Sequence, residues 1–232
     1  MKIYGLQKTS LLDYPEHISS IIFTGGCNFN CPYCQNSELL HPEKHKNSLL
    51  VSRLSTDEIL AFLKKRSGIL EGVVITGGEP TIHSDLPDFI RQIRELGLKI
   101  KLDTNGTRPE MLQSLLNERL LDYIAMDVKA SPKHYEQAAG TSITISTIQR
   151  SISLVMNSGL PYEFRTTVVQ ELHTLPCFHQ LGQLISGAEL CYLQTFRDSE
   201  TVNVQGLHPF SENDMKKAAE ILQLYVHKVK IR

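Results

Sequence analysis

Residues 72–80 read GVVITGGEP: an apolar, β-branched run, Gly72 to Thr76, that passes directly into a polar loop, Gly77-Gly78-Glu79-Pro80. Valine and isoleucine in a run this short suit a strand. The same sequence of events, a short apolar run followed by a helical stretch, occurs about six times along the 232 residues.

Working outward, Ser20 to Thr24 is the strand candidate before it, and Leu98 to Leu102, Tyr123 to Val128, Tyr162 to Val169 and a stretch near Leu190 to Phe196 follow. Between the first two, Ser55 and Glu58 form a capping box for a helix over Thr56 to Ser67. Its apolar face is Ile59, Leu60, Phe62 and Leu63, and Gly68 can close it. Ser84 can cap a helix running to Leu96, with Gly97 at its end. Pro109 suits a first helical position. Further helices are expected near Thr147 to Asn157, stopped by Ser158-Gly159, and from about Glu212 to Val229 behind Ser211.

Strands separated by helices imply parallel strands joined by right-handed crossovers. Six such units predict an α/β fold, an open or partly closed barrel, formed by residues 1–232 as a single domain. The one long irregular piece, Gln35 to Leu54, holds His41, Pro42, Lys44, His45 and Lys46 and no cysteine. Loops of that length tend to be functional or mobile.

Lys and Arg number 24 against 25 Asp and Glu, a formal charge of -1. No global field attracts nucleic acid or an anionic membrane, and neither is expected as a partner. Met1 to Ser20 carries Asp13, Glu16 and two lysines without a continuous apolar stretch, so it reads as neither signal peptide nor membrane anchor. A cytoplasmic location is expected. In that reducing compartment five cysteines, three of them within eight residues, point to a metal or to catalysis more than to disulfides. Cys177 and Cys191 stand alone and read as small buried apolar residues.

Reactive groups in parallel α/β folds collect just past the carboxyl ends of strands. Here the strands run into Gly25-Gly26-Cys27, Gly77-Gly78-Glu79-Pro80, Asp103-Thr104-Asn105-Gly106 and Asp127-Val128-Lys129, which are expected to converge on one rim. Cys27, Cys31 and Cys34 have the spacing C-x3-C-x2-C. Thiolates this close can wrap one metal centre, which leaves two readings. Zinc would need a fourth ligand, for which His41 or His45 is available. Three cysteines without an obvious fourth suit a four-iron cluster with one iron open to a small molecule. Gly77-Gly78 on its own could be a tight turn, but bare backbone there can also approach a ligand and accept hydrogen bonds from an ammonium group. Asp103 and Asp127 taken singly could be strand-end residues or helix caps. Arg165, inside an apolar strand, requires a partner in the protein or a ligand.

The combination of CNFNCPYC (residues 27–34), with Tyr33 as the aromatic before the third cysteine, and GGEP one crossover later resembles the radical S-adenosylmethionine superfamily. The resemblance runs from Gly5 through Arg197. GLQKTSLLDYP (residues 5–15), FTGGCNFNCPYCQN (23–36), LDTNG (102–106) and DVK (127–129) are most similar to the anaerobic ribonucleoside-triphosphate reductase activating proteins, which belong with the glycyl-radical-enzyme activases.

The resemblance implies a partial (β/α)6 barrel of parallel strands, with the cluster loop at residues 25–36 and Cys27, Cys31 and Cys34 as ligands of a [4Fe-4S] cluster. It implies reductive cleavage of S-adenosyl-L-methionine to a 5'-deoxyadenosyl radical. Gly77, Gly78 and Glu79 would hold the methionine end, and Asn36, Asp103, Asp127, Lys129 and Arg165 would surround its carboxylate, sulfonium or ribose. The implied partners are a glycyl-radical enzyme, in the first place anaerobic ribonucleoside-triphosphate reductase, and an electron donor such as flavodoxin or ferredoxin. Phe29 and Tyr33 either shield the cluster or pack as ordinary loop residues. Family members often have Gly after Asp-Tyr-Pro and His after the third cysteine, where this chain has Glu16 and Gln35; those departures bear on the partner. A small-molecule radical enzyme similar to 7-carboxy-7-deazaguanine synthase and a zinc-stabilised binding module are the competing expectations. His173, His179 and His208 read as surface or packing residues.

Overall fold

A computed structural model describes residues 1–42 and 53–232, whose internal contacts divide into two compact units. The first comprises Met1–Asn28, Glu38–Thr104 and Glu110–Ile124; the second comprises Phe29–Ser37, Asn105–Pro109 and Ala125–Arg232. Part of the irregular stretch expected over Gln35 to Leu54, with Lys44, His45 and Lys46, lies outside the described residues.

The first unit is built on β1 (Ile3–Ser10), β2 (Ser19–Thr24), β3 (Gly72–Gly77) and β4 (Lys99–Thr104). β2, β3 and β4 run parallel, in register Ile22 to Ile75 and Ile75 to Leu102. β1 is an antiparallel strand on β2, pairing Leu6 with Ile22 and Gln7 with Ile21, an addition to the six expected strands. Sequence pattern did not reveal β1 because most of it is partly buried or exposed and it includes Gln7 and Lys8; partnership with β2, not apolar content, makes it a strand.

Helix α1 (Thr56–Arg66) starts at the expected capping box, with Ser55 accepting from the Glu58 N–H and Glu58 accepting from the Ser55 N–H. Helix α2 (Leu86–Arg94) starts later than expected, with Asp85 rather than Ser84 before it. The Asp85 carboxylate takes the Met1 ammonium group instead of capping the helix. Ile59, Leu63, Ile90 and Ile93 bury their side chains from these two helices. Helix α3 (Pro109–Asn117) begins at the expected proline.

Tyr14 seals one end of this unit. It is 2 % exposed and packs with Ile21, Val74 and Tyr123, meeting the Tyr123 ring edge-on at 5.9 Å. A side chain at Gly72 would collide with the Tyr14 ring, so the strand start has to be glycine there. Two residues beyond Tyr14, Glu16 sits at φ 64°, in the left-handed region that favours glycine.

β5 (Tyr123–Asp127) begins in the first unit and ends in the second. The second unit continues with α4 (Tyr135–Ala139), α5 (Ile145–Met156), β6 (Tyr162–Val168), α6 (Cys177–Leu184), β7 (Cys191–Thr195), α7 (Glu212–Gln223) and β8 (Val229–Ile231). β6, β7 and β8 are parallel. The last helix stops at Gln223, short of the expected Val229, because the chain turns to place Val229 opposite Cys191 as a further strand. Helix α6, which the sequence reading left unplaced, buries Phe178 and Leu181. Among the described residues, no helix is long and apolar enough to cross a membrane.

A left-handed backbone costs a residue with a side chain about 1–2 kcal/mol. Glu16→Gly should therefore raise the unfolding free energy by up to about 1 kcal/mol, after the greater freedom of glycine in the unfolded chain is discounted. Glu16→Val should lower it, and urea denaturation midpoints read both changes.

Candidate functional site

In the first unit the loops after β2 and β3 lie directly against each other. Parallel pairing brings Thr24 opposite Gly77, and the Thr24 hydroxyl donates to the Thr76 carbonyl at 3.0 Å. The Gly78 N–H then donates to the Thr24 carbonyl at 2.8 Å, and the Glu79 N–H to the Gly26 carbonyl at 2.9 Å. Gly77 adopts φ 115°, and a Cβ on Gly78 would lie 2.0 Å from the Gly26 oxygen. Neither position accommodates a side chain, so the glycine pair holds the backbone just ahead of Cys27.

The same backbone is tied from other directions. The Gly25 N–H donates to the Lys2 carbonyl at 2.9 Å, the Gly26 N–H to the Leu39 carbonyl at 2.7 Å, and His83 Nε2 lies 3.1 Å from the Gly25 carbonyl.

Glu79 is 1 % exposed, and its carboxylate accepts from the Thr81 N–H at 3.1 Å, from the Thr81 hydroxyl and from the Thr104 hydroxyl at 2.7 Å. The Glu79 side chain thus joins the loop after β3 to the end of β4. Asp103, next to Thr104, pairs with the Lys101 ammonium at 2.5 Å, and Lys101 lies over the Tyr123 ring. Lys101 is a buried cation that sequence reasoning did not single out.

The second unit holds Cys31 and Cys34 on one turn, with the Cys34 N–H donating to the Cys31 carbonyl at 3.1 Å. Phe29, Cys31 and Tyr33 are buried. Burial pushes the Cys31 thiol up to about 11, against the opposing charge of Lys129. Burial also raises the Cys34 thiol, opposed by a hydrogen bond from the Asn36 backbone. No disulfide engages any of the five cysteines. Among the described residues the buried Tyr33 hydroxyl has no hydrogen-bond partner.

This turn is closed by residues remote in sequence. The Asn203 N–H donates to the Cys34 carbonyl at 3.2 Å and the Val204 N–H to the Pro32 carbonyl at 2.8 Å. The Asn203 side-chain amide donates to Asn30 Oδ1 at 3.0 Å and to the Cys31 carbonyl at 3.2 Å. On the other flank the Asn30 N–H meets the Ala139 carbonyl, and a Cβ on Gly140 would come 1.9 Å from the Asn30 oxygen. Gln35 donates to the Arg197 carbonyl at 3.0 Å. No local signal marks Asn203 or Gly140 for this task.

Asp127 ends β5 and answers the requirement that Arg165 have a partner. Arg165 Nε donates to Asp127 Oδ1 at 2.7 Å, and Lys129 Nζ donates to Oδ2 at 3.0 Å. Burial alone would raise the Asp127 carboxyl, but Arg165 and Lys129 outweigh it and hold the group well below the ordinary carboxylate range. Burial would likewise lower Lys129, and Asp127 foremost keeps it protonated.

His173 supports Lys129 from behind: its Nε2–H donates to the Lys129 carbonyl at 3.0 Å and its Nδ1 accepts from the Val169 N–H at 3.1 Å. It is a packing residue, 3 % exposed and stacked on Phe178. Burial holds its ring below the ordinary histidine value against the pull of its hydrogen bond to the Lys129 carbonyl.

Compared with known proteins, residues 21–173 match the Radical SAM superfamily. A Methanocaldococcus jannaschii protein provisionally named a glycyl-radical enzyme activating enzyme is 30% identical over 238 residues, covering 99% of this chain and 95% of its own length. A Pyrococcus abyssi protein provisionally named a GTP 3',8-cyclase is 25% identical, covering 90% of this chain and 68% of its own. Among solved structures, Streptococcus suis SuiB bound to S-adenosylmethionine superposes with a TM-score of 0.66 at 12% identity, over 89% of this chain and 48% of SuiB. The fold is the α/β partial barrel of parallel strands found in these enzymes.

Two measurements probe the second unit. The unfolded chain binds a proton at His173 near 6.5, whereas the folded chain does so only at lower pH. Stability from this residue is complete above that value and falls as pH drops through the folded one. The loss on going from about pH 7 to about pH 5 should be smaller in His173→Gln than in the unaltered protein, read by urea unfolding at both pH values. Asn203→Ala removes two side-chain hydrogen bonds worth about 1 kcal/mol each, so amide exchange at Asn30 and Cys34 should accelerate on the order of tenfold. Unchanged exchange would mean that Asn203 does not brace the turn.

Proposed function

The chain belongs to the Radical SAM superfamily, and on that premise we propose that it is a glycyl-radical-enzyme activating enzyme, with residues 1–232 acting as one domain. Enzymes of this superfamily use a [4Fe-4S] cluster and S-adenosyl-L-methionine. In the proposal Cys27, Cys31 and Cys34 hold the cluster, and Gly77, Gly78, Glu79, Asn36, Asp103, Asp127, Lys129 and Arg165 serve the cofactor.

The observation that carries this reading is the contact of the Gly78-Glu79 backbone with Gly26, the residue before Cys27. It ties the stretch proposed for the methionine end to the stretch proposed for the cluster, with no side chain intervening. The donor set is compatible as well: thiols outside any disulfide, Cys31 buried and Cys34 partly buried, and a buried Tyr33 hydroxyl without a partner among the described residues. Among the described residues no three His, Cys, Asp or Glu side chains are disposed to hold a metal ion together. A four-iron cluster does not need that convergence, because its thiolates ligate different irons.

When bound, the cluster and S-adenosyl-L-methionine supply one-electron cleavage of the sulfonium bond to the 5' carbon, giving a 5'-deoxyadenosyl radical able to take hydrogen from a glycine Cα. The protein's own contribution is binding, orientation and exclusion of water. Arg165 and Lys129, both paired with Asp127, are the cations that would meet a carboxylate such as that of the methionine end. Glu79 acts by fixing its loop, since its carboxylate is engaged by Thr81 and Thr104. The partner would be a glycyl-radical enzyme, in the first place anaerobic ribonucleoside-triphosphate reductase, with a flavodoxin- or ferredoxin-type electron donor in the cytoplasm.

The test is anaerobic reconstitution with iron and sulfide, dithionite reduction and chromatography for 5'-deoxyadenosine. Cleavage is expected, and Cys31→Ala should abolish it; cleavage retained by that variant with an intact cluster would refute the ligand assignment. A glycyl-radical signal on added reductase supports the activase reading. Cleavage without such a signal, but with turnover of a small molecule, would move the protein toward the cyclase-like relatives.

A further inference from the structure

A second group of reactive side chains lies in the second unit, apart from the residues proposed for cluster and cofactor. Cys177 opens α6, and its Sγ lies 3.4 Å from His134 Nδ1 and 3.0 Å from Thr174 Oγ1. The same His134 nitrogen lies 3.0 Å from the hydroxyl of Ser131, which is completely buried. The backbone fixes both ends: the His134 N–H donates to the Ser131 carbonyl at 3.0 Å, and the Cys177 N–H to the Thr174 carbonyl at 3.0 Å. Cys177 and His134 are half-buried and Thr174 is exposed, so the group lies near the protein surface and not in its core.

A thiol reacts as its thiolate, and a neighbouring imidazole that can take the proton is the common means of activation. Thr174 adds a hydroxyl able to donate to the charged sulfur. Cys191 offers the contrast: it is 0 % exposed, and burial pushes its thiol up to about 12. The two lone cysteines therefore differ. Cys191 is the small buried residue expected of both, and Cys177 sits in a polar setting assembled from residues 43 positions apart.

We propose that Cys177 and His134 form a thiol-exchange site for low-molecular-weight disulfides. Cys177 Sγ attacks one sulfur of the disulfide and the S–S bond breaks. The Cys177 proton passes to His134 and on to the departing thiolate. The chain gains a mixed disulfide, one small thiol leaves, and the disulfide itself is the oxidant.

The test uses the full chain at neutral pH with glutathione disulfide, following each cysteine by peptide mass spectrometry. Cys177 should acquire the adduct while Cys191 stays unmodified, and His134→Ala should slow modification at Cys177 at least about tenfold. Thr174→Val, a change at an exposed position, should slow it several-fold and serves if His134→Ala fails to fold. No adduct at Cys177, or an unchanged or faster rate in the variant read, overturns the proposal. These outcomes do not depend on whether the chain binds iron.

Discussion

The approach of the Gly78 backbone to the Gly26 carbonyl is the contact on which the first unit is organised. At that separation only hydrogen atoms fit between the two chains, so both strands must arrive at the same level, as the pairing of Thr24 with Gly77 ensures. The neighbouring bonds serve the same end. β1 contributes the Lys2 carbonyl to Gly25, and Glu79 turns its buried carboxylate toward the hydroxyls of Thr81 and Thr104. Strand register, glycine and a buried acid thus combine to present bare backbone where a ligand could meet it.

Charge is distributed in a way that stability alone does not explain. Buried ion pairs cost desolvation that their attraction barely offsets, so they are weak sources of stability. Here the buried Lys101 with Asp103 ends one strand and the partly buried Asp127 with Arg165 and Lys129 ends another. Concentration of such groups at carboxyl ends of strands, with His173 holding one carbonyl of the Asp-Val-Lys stretch, is what the proposed cofactor-binding role draws on.

How much was readable follows from how local each feature is. The capping box at Ser55 and Glu58, the helix start at Pro109 and the ends of the central strands depend on a few adjacent residues, and each is found within a residue or two of its expected place. β1 and β8 escaped because a strand at the margin of a sheet need not be strongly apolar, and its partner supplies what its own pattern lacks. Glu16 shows the reverse: nothing in its local sequence marks the cost of its backbone, which appears only as a positive φ.

The sequence by itself determined the α/β alternation, the polar loops after the strands, the three closely spaced cysteines and the likeness to radical enzymes. All of these are periodicities or spacings within short windows, which chain connectivity alone preserves. Only the tertiary structure decided that Arg165 answers to Asp127, 38 residues away, that Asn203 braces Asn30 across 173 residues, and that Cys177 meets His134. Hydrogen bonds and ion pairs depend on distances of about 3 Å, and residues so far apart along the chain come that close only when the packing of strands and helices brings them there.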